Sequence, residues 1–101
     1  MSFADTLRAD RRLVILRLLE QAPSYSANDS IMRTGLRDIG HDVPADVVRA
    51  DLAWLAEQDL VHVELVHTSV KTIHVARLTE RGLDVAAGRA TVPGVSRPAP
   101  V

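Results

Sequence analysis

Histidine, carboxylate and arginine are the side chains of this sequence with chemistry to offer. Cysteine is absent, which excludes disulfides, thiolate metal sites and a cysteine nucleophile. The four histidines are His41, His62, His67 and His74. Two stretches alternate between apolar and polar residues. In the first, Val61, Val63 and Leu65 alternate with His62 and Glu64; in the second, Ile73 and Val75 flank His74. Paired as a hairpin with residue 63 opposite residue 73, they make His62 and His74 cross-strand neighbours on an outer face. Glu64 is the only further donor nearby, so a third firm ligand is missing and no metal site is expected. No nucleophile, base and orienting group stand at a recognisable spacing, and no glycine-rich phosphate loop is present. We expect neither catalysis nor a cofactor.

Binding chemistry rests on the cations. The candidates for phosphate contact are Arg33 and Arg37 one helical turn apart, Lys71 between the two alternating stretches, and Arg77 after them. Arg89 and Arg97 lie further on. Arg49 is the only base between residues 38 and 59, where it faces Asp38, Asp42, Asp46, Asp51, Glu57 and Asp59, a segment sum of −5. One arginine can read a guanine edge in a major groove; six carboxylates would be repelled by phosphate. Ala45, Asp46, Ala50 and Ala53 form the outer face of the same segment. Small side chains there would also let a protein surface approach closely.

The elements that carry these residues can be read from periodicity. Residues 3–22 predict a helix, with Ser2 and Asp5 at capping-box spacing and Pro23 as the stop. Its second half, Leu13 to Leu19, is apolar nearly all round, which predicts cover on more than one side, one of them a partner chain. Residues 23–28 read as a loop. A helix over about 27–39 follows, with Ser26 and Asp29 at capping-box spacing and Gly40 closing it. A turn at His41-Asp42-Val43 leads to a third helix from Pro44 to about Gln58, with Pro44 at its first position. Asp51 falls within the apolar arc of that helix beside Val47, Trp54 and Leu55. A bare carboxylate there is costly, so an ion pair with Arg12 or Arg37 is expected. Asp59 stands where helix ends favour a left-handed residue. Tyr25 and Trp54 are expected to pack at helix junctions. The hairpin, with its loop near 66–70, gives way to a last helix capped by Thr79 and ending near Ala87.

Helix, helix–turn–helix, two-stranded wing and short C-terminal helix make a mostly α domain with a β-hairpin, the order of a winged helix-turn-helix. Residues 1–88 form that domain. Residues 89–101 hold Pro93, Pro98, Pro100 and Gly94 and predict an extended or disordered tail. The chain has 101 residues, 47% of them apolar and 25% charged, and a net charge of −1. That suits one soluble domain, gives no overall basic field, and leaves no run long enough to span a membrane. A cytoplasmic location is expected.

A more specific likeness lies in four phrases: Tyr25-Ser26-Ala27-Asn28-Asp29-Ser30, Gly40-His41-Asp42-Val43, Val48-Arg49-Ala50-Asp51-Leu52-Ala53-Trp54-Leu55 and Val92-Pro93-Gly94-Val95-Ser96-Arg97-Pro98. The chain resembles small ArsR-like winged-helix proteins of Mu-like phages and prophages. That resemblance implies a winged-helix fold and a phage or prophage origin. Two functions from different classes then stand open. One is a DNA-binding transcriptional regulator, a homodimer, that holds double-stranded DNA with Arg33, Arg37, Ala45, Asp46, Arg49, Lys71 and Arg77. The other is a protein–protein interaction or phage accessory module without DNA binding, with its partner on the alanine face of the third helix.

Overall fold

A computed structural model describes residues 1–99. The first helix, α1, spans Phe3–Gln21. The Ser2 hydroxyl accepts from the Asp5 backbone N–H at 3.1 Å, and the Asp5 carboxylate accepts from the Ser2 N–H at 3.3 Å. This reciprocal pair is the capping box expected from the spacing. The bonds with Ser2 hold the Asp5 carboxyl below its ordinary pKa, helped by Arg8. Pro23 ends α1 and opens a short 3-10 turn, Pro23–Tyr25, in which Ser24 and Tyr25 take positive φ of 56° and 55°. Tyr25 is exposed, not packed at a junction; it sits in this turn with a left-handed backbone.

The segment expected to be a loop ends in a strand, β1 (Ser26–Asn28). Three residues are too few to show a period; it is their partner that makes them a strand. The second helix, α2, spans Asp29–Asp38, and its cap is Asn28, which accepts from Ile31 N–H at 2.9 Å. Ser26 is held in the strand and does not cap. Gly40 takes a φ of 106° just past the helix, as its position predicts. Helix α3 spans Ala45–Glu57 with Pro44 as the cap residue, one position earlier than expected. Asp59 is left-handed at φ 61°, and the Leu60 N–H turns back to the Leu55 carbonyl at 2.9 Å. Strands β2 (Val61–His67) and β3 (Thr72–Leu78) follow, then α4 (Glu80–Ala86), capped by the Thr79 hydroxyl. The sheet order is β1-β3-β2, all antiparallel.

The hairpin register differs from the expected one. Val63 pairs with Ala76, His62 with Arg77, and His74 with Leu65. A ladder shifted by an odd number of residues moves every side chain of one strand to the opposite face. His62 and His74 therefore lie on opposite faces. The core face of β3 is made by Ala76 and Leu78, not by Ile73 and Val75. The longer strands shorten the turn to residues 68–71, where the Thr68 hydroxyl donates to the Lys71 carbonyl at 2.7 Å.

The core joins Ile15, Leu16 and Leu19 of α1 to Leu36 of α2, Val48, Leu52 and Leu55 of α3, and Leu60, Ala76 and Val85, all almost fully buried. The apolar belt of α1 is covered by the chain's own residues. Leu13, Ile15, Leu16 and Leu19 are buried, and Leu18 lies over Gly35, where a Cβ would stand only 3.0 Å from it. The belt thus needs no partner chain. Residues 89–99 also depart from the expected tail. Val92 and Val95 are buried, and Ser96 N–H donates to the Ala9 carbonyl at 3.2 Å. Two valines among prolines are enough to pin the segment when α1 offers an apolar groove. Pro100 and Val101 of the expected tail lie outside the described residues. Among the described residues no helix is long and apolar enough to cross a membrane.

Candidate nucleic-acid interface

Three elements bring cations to one groove. Arg33 and Arg37 stand four residues apart on α2, so they share a face. Arg49 comes from the second turn of α3, Lys71 from the hairpin turn and Thr72 from the start of β3. Together with Ala45, Ser30, Thr34 and Asp29 they line a hollow of about 370 Å³. Four cations thus face one carboxylate. The Arg33 Nε donates to the Val43 carbonyl at 3.0 Å, which ties α2 to the turn before α3. Asp29 is the hinge of the groove. One of its oxygens accepts from the β3 N–H of His74 at 3.4 Å, and the other faces the Arg49 guanidinium at 3.8 Å. At that distance Arg49 is steered rather than held, and its side chain keeps 41% of its exposure.

The carboxylates that make residues 38–59 acidic are dispersed by the fold. Asp51 is buried, with 4% of its side chain exposed, and is bound by two arginines of α1: the Arg11 Nε donates to Oδ2, and the Arg12 Nε donates to Oδ1 at 3.2 Å. Arg12 was an expected partner; Arg37 lies in the groove instead, and Arg11 takes the second oxygen. Glu57 is twelve residues from Ala45, about 18 Å along the axis of α3. Asp46 is exposed in the first turn of α3 but does not line the groove. His41 turns away from it too: its Nε2 meets Asp10 of α1 at 2.7 Å, which fastens the turn between α2 and α3 to α1.

Of the seven residues singled out, the groove collects five: Arg33, Arg37, Ala45, Arg49 and Lys71. Arg77 is separated from them. Strand alternation places it opposite Ser26 and His62, and it lines a small hollow of about 120 Å³ on the other face of the sheet with Glu64 and Val75. Asp29, Ser30, Thr34 and Thr72 were missed. Ser30 and Thr34 carry a signal, since they extend the polar face of α2 that holds Arg33 and Arg37. Asp29 carries none, because its role depends on β3 and α3 converging on it. Among the described residues no group of three metal-ligating side chains comes together.

A helix-turn-helix of α2 and α3, with a β2–β3 wing and a third strand at its base, defines a winged-helix domain. The chain superposes with a TM-score of 0.59 on the crystal structure of a PadR-family transcriptional regulator from Eggerthella lenta, over 76% of this chain and 69% of that one at 24% identity, a likeness of fold. The chain belongs to the family of the uncharacterized protein gp26 of Escherichia phage Mu, with which it is 51% identical over 96 residues, 95% of both chains. A protein of Haemophilus influenzae is 43% identical over 82% of this chain and 78% of its own length. No family model matches the sequence.

Proposed function

We propose that this protein is a double-stranded DNA-binding regulator of transcription, of the ArsR-like kind and of phage or prophage origin, acting in the cytoplasm and without catalysis. The observation that carries this reading is the convergence of Arg33, Arg37, Arg49 and Lys71 on one groove with Asp29 as its single carboxylate among the described residues. Withdrawal of Asp51 into an ion pair with Arg11 and Arg12 supports it further, since it removes a charge that phosphate would meet. Arg49 stands at the major-groove edge and reads a base; Arg33, Arg37 and Lys71 grip phosphate. Ala45 and Asp46 flank Arg49 in the first turns of α3.

Binding to DNA from around its own gene, followed by fluorescence anisotropy at varied salt, tests this. Three to four phosphate contacts per chain give a slope of log K against log salt of about −3. Arg49→Ala is expected to cost about 1–3 kcal/mol on the preferred sequence and to flatten the preference. Lys71→Ala weakens all sequences alike and lowers the slope by about 1. Arg77→Ala, on the other face, leaves affinity unchanged. Absence of binding at low salt would refute the DNA reading and leave the exposed Ala50 and Ala53 of α3 as the place to seek a protein partner.

A homodimer is part of this proposal, seated not on the covered belt but on the first turns of α1. Phe3 and Leu7 lie one helical turn apart there, 75% and 42% exposed. Light scattering is expected to show dimers that Phe3→Ser dissociates; a monomer at all concentrations removes this part.

A further inference from the structure

A second hollow lies away from the groove, between the N-terminal half of α1 and residues 91–97. It encloses about 610 Å³, within the range of about 300–1,000 Å³ typical of small-molecule sites. Ala9, Val92 and Val95 give it apolar walls, and Arg8, Arg12 and Arg97 bring three guanidinium groups to it. The one carboxylate there among the described residues, Asp5, is already committed to Ser2 and to Arg8.

Arg12 is the informative side chain. Its ring neighbour is Trp54, 3.9 Å from the guanidinium carbon. Its Nε is used by Asp51 and its Nη1 by the Gly94 carbonyl at 3.3 Å. A guanidinium has five N–H donors, and among the described residues these two bonds are all that Arg12 makes. Among the described residues no fully buried side-chain nitrogen lacks a partner, so its Nη2 is not fully buried, on a side chain that is only 13% exposed. A half-sunk cation with free donors at the wall of an apolar hollow matches a carboxylate, which takes two parallel N–H bonds from such a group.

We propose that this hollow binds an amphipathic carboxylate, its charge on Arg12, Arg8 and Arg97 and its apolar body against Ala9, Val92 and Val95. The bound carboxylate and Asp51 of α3 then share one guanidinium. The site stands apart from the groove and does not depend on what the groove holds.

Trp54 is the only tryptophan, and its ring packs against Arg12 and Gly94, so its emission reports on the hollow. Decanoate, kept below its micelle concentration, is expected to change that emission saturably at one site per chain, with isothermal titration reading the same equilibrium. Arg8→Ala with Arg97→Ala should weaken decanoate roughly ten- to hundred-fold, the loss of charge-assisted hydrogen bonds. Both residues are exposed, so the double variant is expected to keep the wild-type circular dichroism. Decanol and inorganic phosphate should each bind far more weakly than decanoate. The proposal is overturned if neither method detects decanoate, if decanol or phosphate binds as tightly, or if the double variant binds decanoate like the wild type.

Discussion

Asp51→Ala is expected to lower the free energy of unfolding by about 3–5 kcal/mol, read as a fall in the urea midpoint at unchanged slope. Both carboxylate oxygens are bound, and the carboxylate is 4% exposed, while Arg11 and Arg12 are 12% and 13% exposed. Removal of the anion leaves two guanidinium groups close together in a poorly solvated place. Their mutual repulsion and lost hydration make the cost larger than that of a surface pair. Asp51→Asn keeps an oxygen acceptor and should lose less. A domain of this size has about 5–15 kcal/mol in total, so Asp51→Ala removes about a fifth of it or more. Because the pair joins α1 to α3, the variant's remaining folded fraction should also hold α3 less firmly. A loss under about 1 kcal/mol would mean that both arginines escape to water and that the pair is not what seats α3.

Gly82→Ala is the second large effect. Gly82 is in the first turn of α4, and its backbone N–H donates to the Thr79 hydroxyl at 3.0 Å. A Cβ at Gly82 would stand 2.0 Å from the Leu60 carbonyl oxygen and 2.7 Å from a Leu78 methyl. The first obstacle is backbone, and it is already fixed by the bond from Thr79 N–H to the same oxygen at 3.1 Å. No rotamer change can relieve the clash. Helix α4 must lift from the junction of α3 and β2, and Val85 and Ala86 with it. We expect a loss of about 3 kcal/mol, the upper end of overpacking. For a chain of this length that is a fall in melting temperature of about 12 °C or more. Gly40→Ala provides the contrast. Its φ is 106° but nothing lies within 4 Å of its Cβ position, so only backbone strain opposes it. Equal stability of Gly82→Ala and the wild type would refute this seat for α4.

Much of the fold was legible because it rests on local chemistry. Ser2 and Asp5 cap α1, Thr79 caps α4, Gly40 closes α2 and Asp59 turns the chain out of α3. Each is settled by residues within one helical turn. Asp51 was legible for a different reason: a carboxylate inside an apolar arc demands a cation wherever the fold finds one. Which cation was less so, since Arg11, Arg12 and Arg37 differ only in where their helices lie.

The candidate site was legible in its residues and not in its balance of charge. A sum along residues 38–59 counts Asp51, Glu57 and Asp59 with Arg49, yet one is buried and the other two stand at the far end of α3. A surface is met by a ligand all at once, so its charge belongs to a face and not to a segment. The sequence by itself determined the order of the four helices and the hairpin, the caps of α1 and α4, the buried carboxylate and the cations on α2. Only the tertiary structure decided the strand at Ser26–Asn28, the register that parts His62 from His74 and Arg77 from the groove, and the docking of Val92 and Val95 on α1. All of these depend on pairing between residues far apart in the chain. A period of two fits either register of a short hairpin, and a valine among prolines looks the same whether or not a groove awaits it.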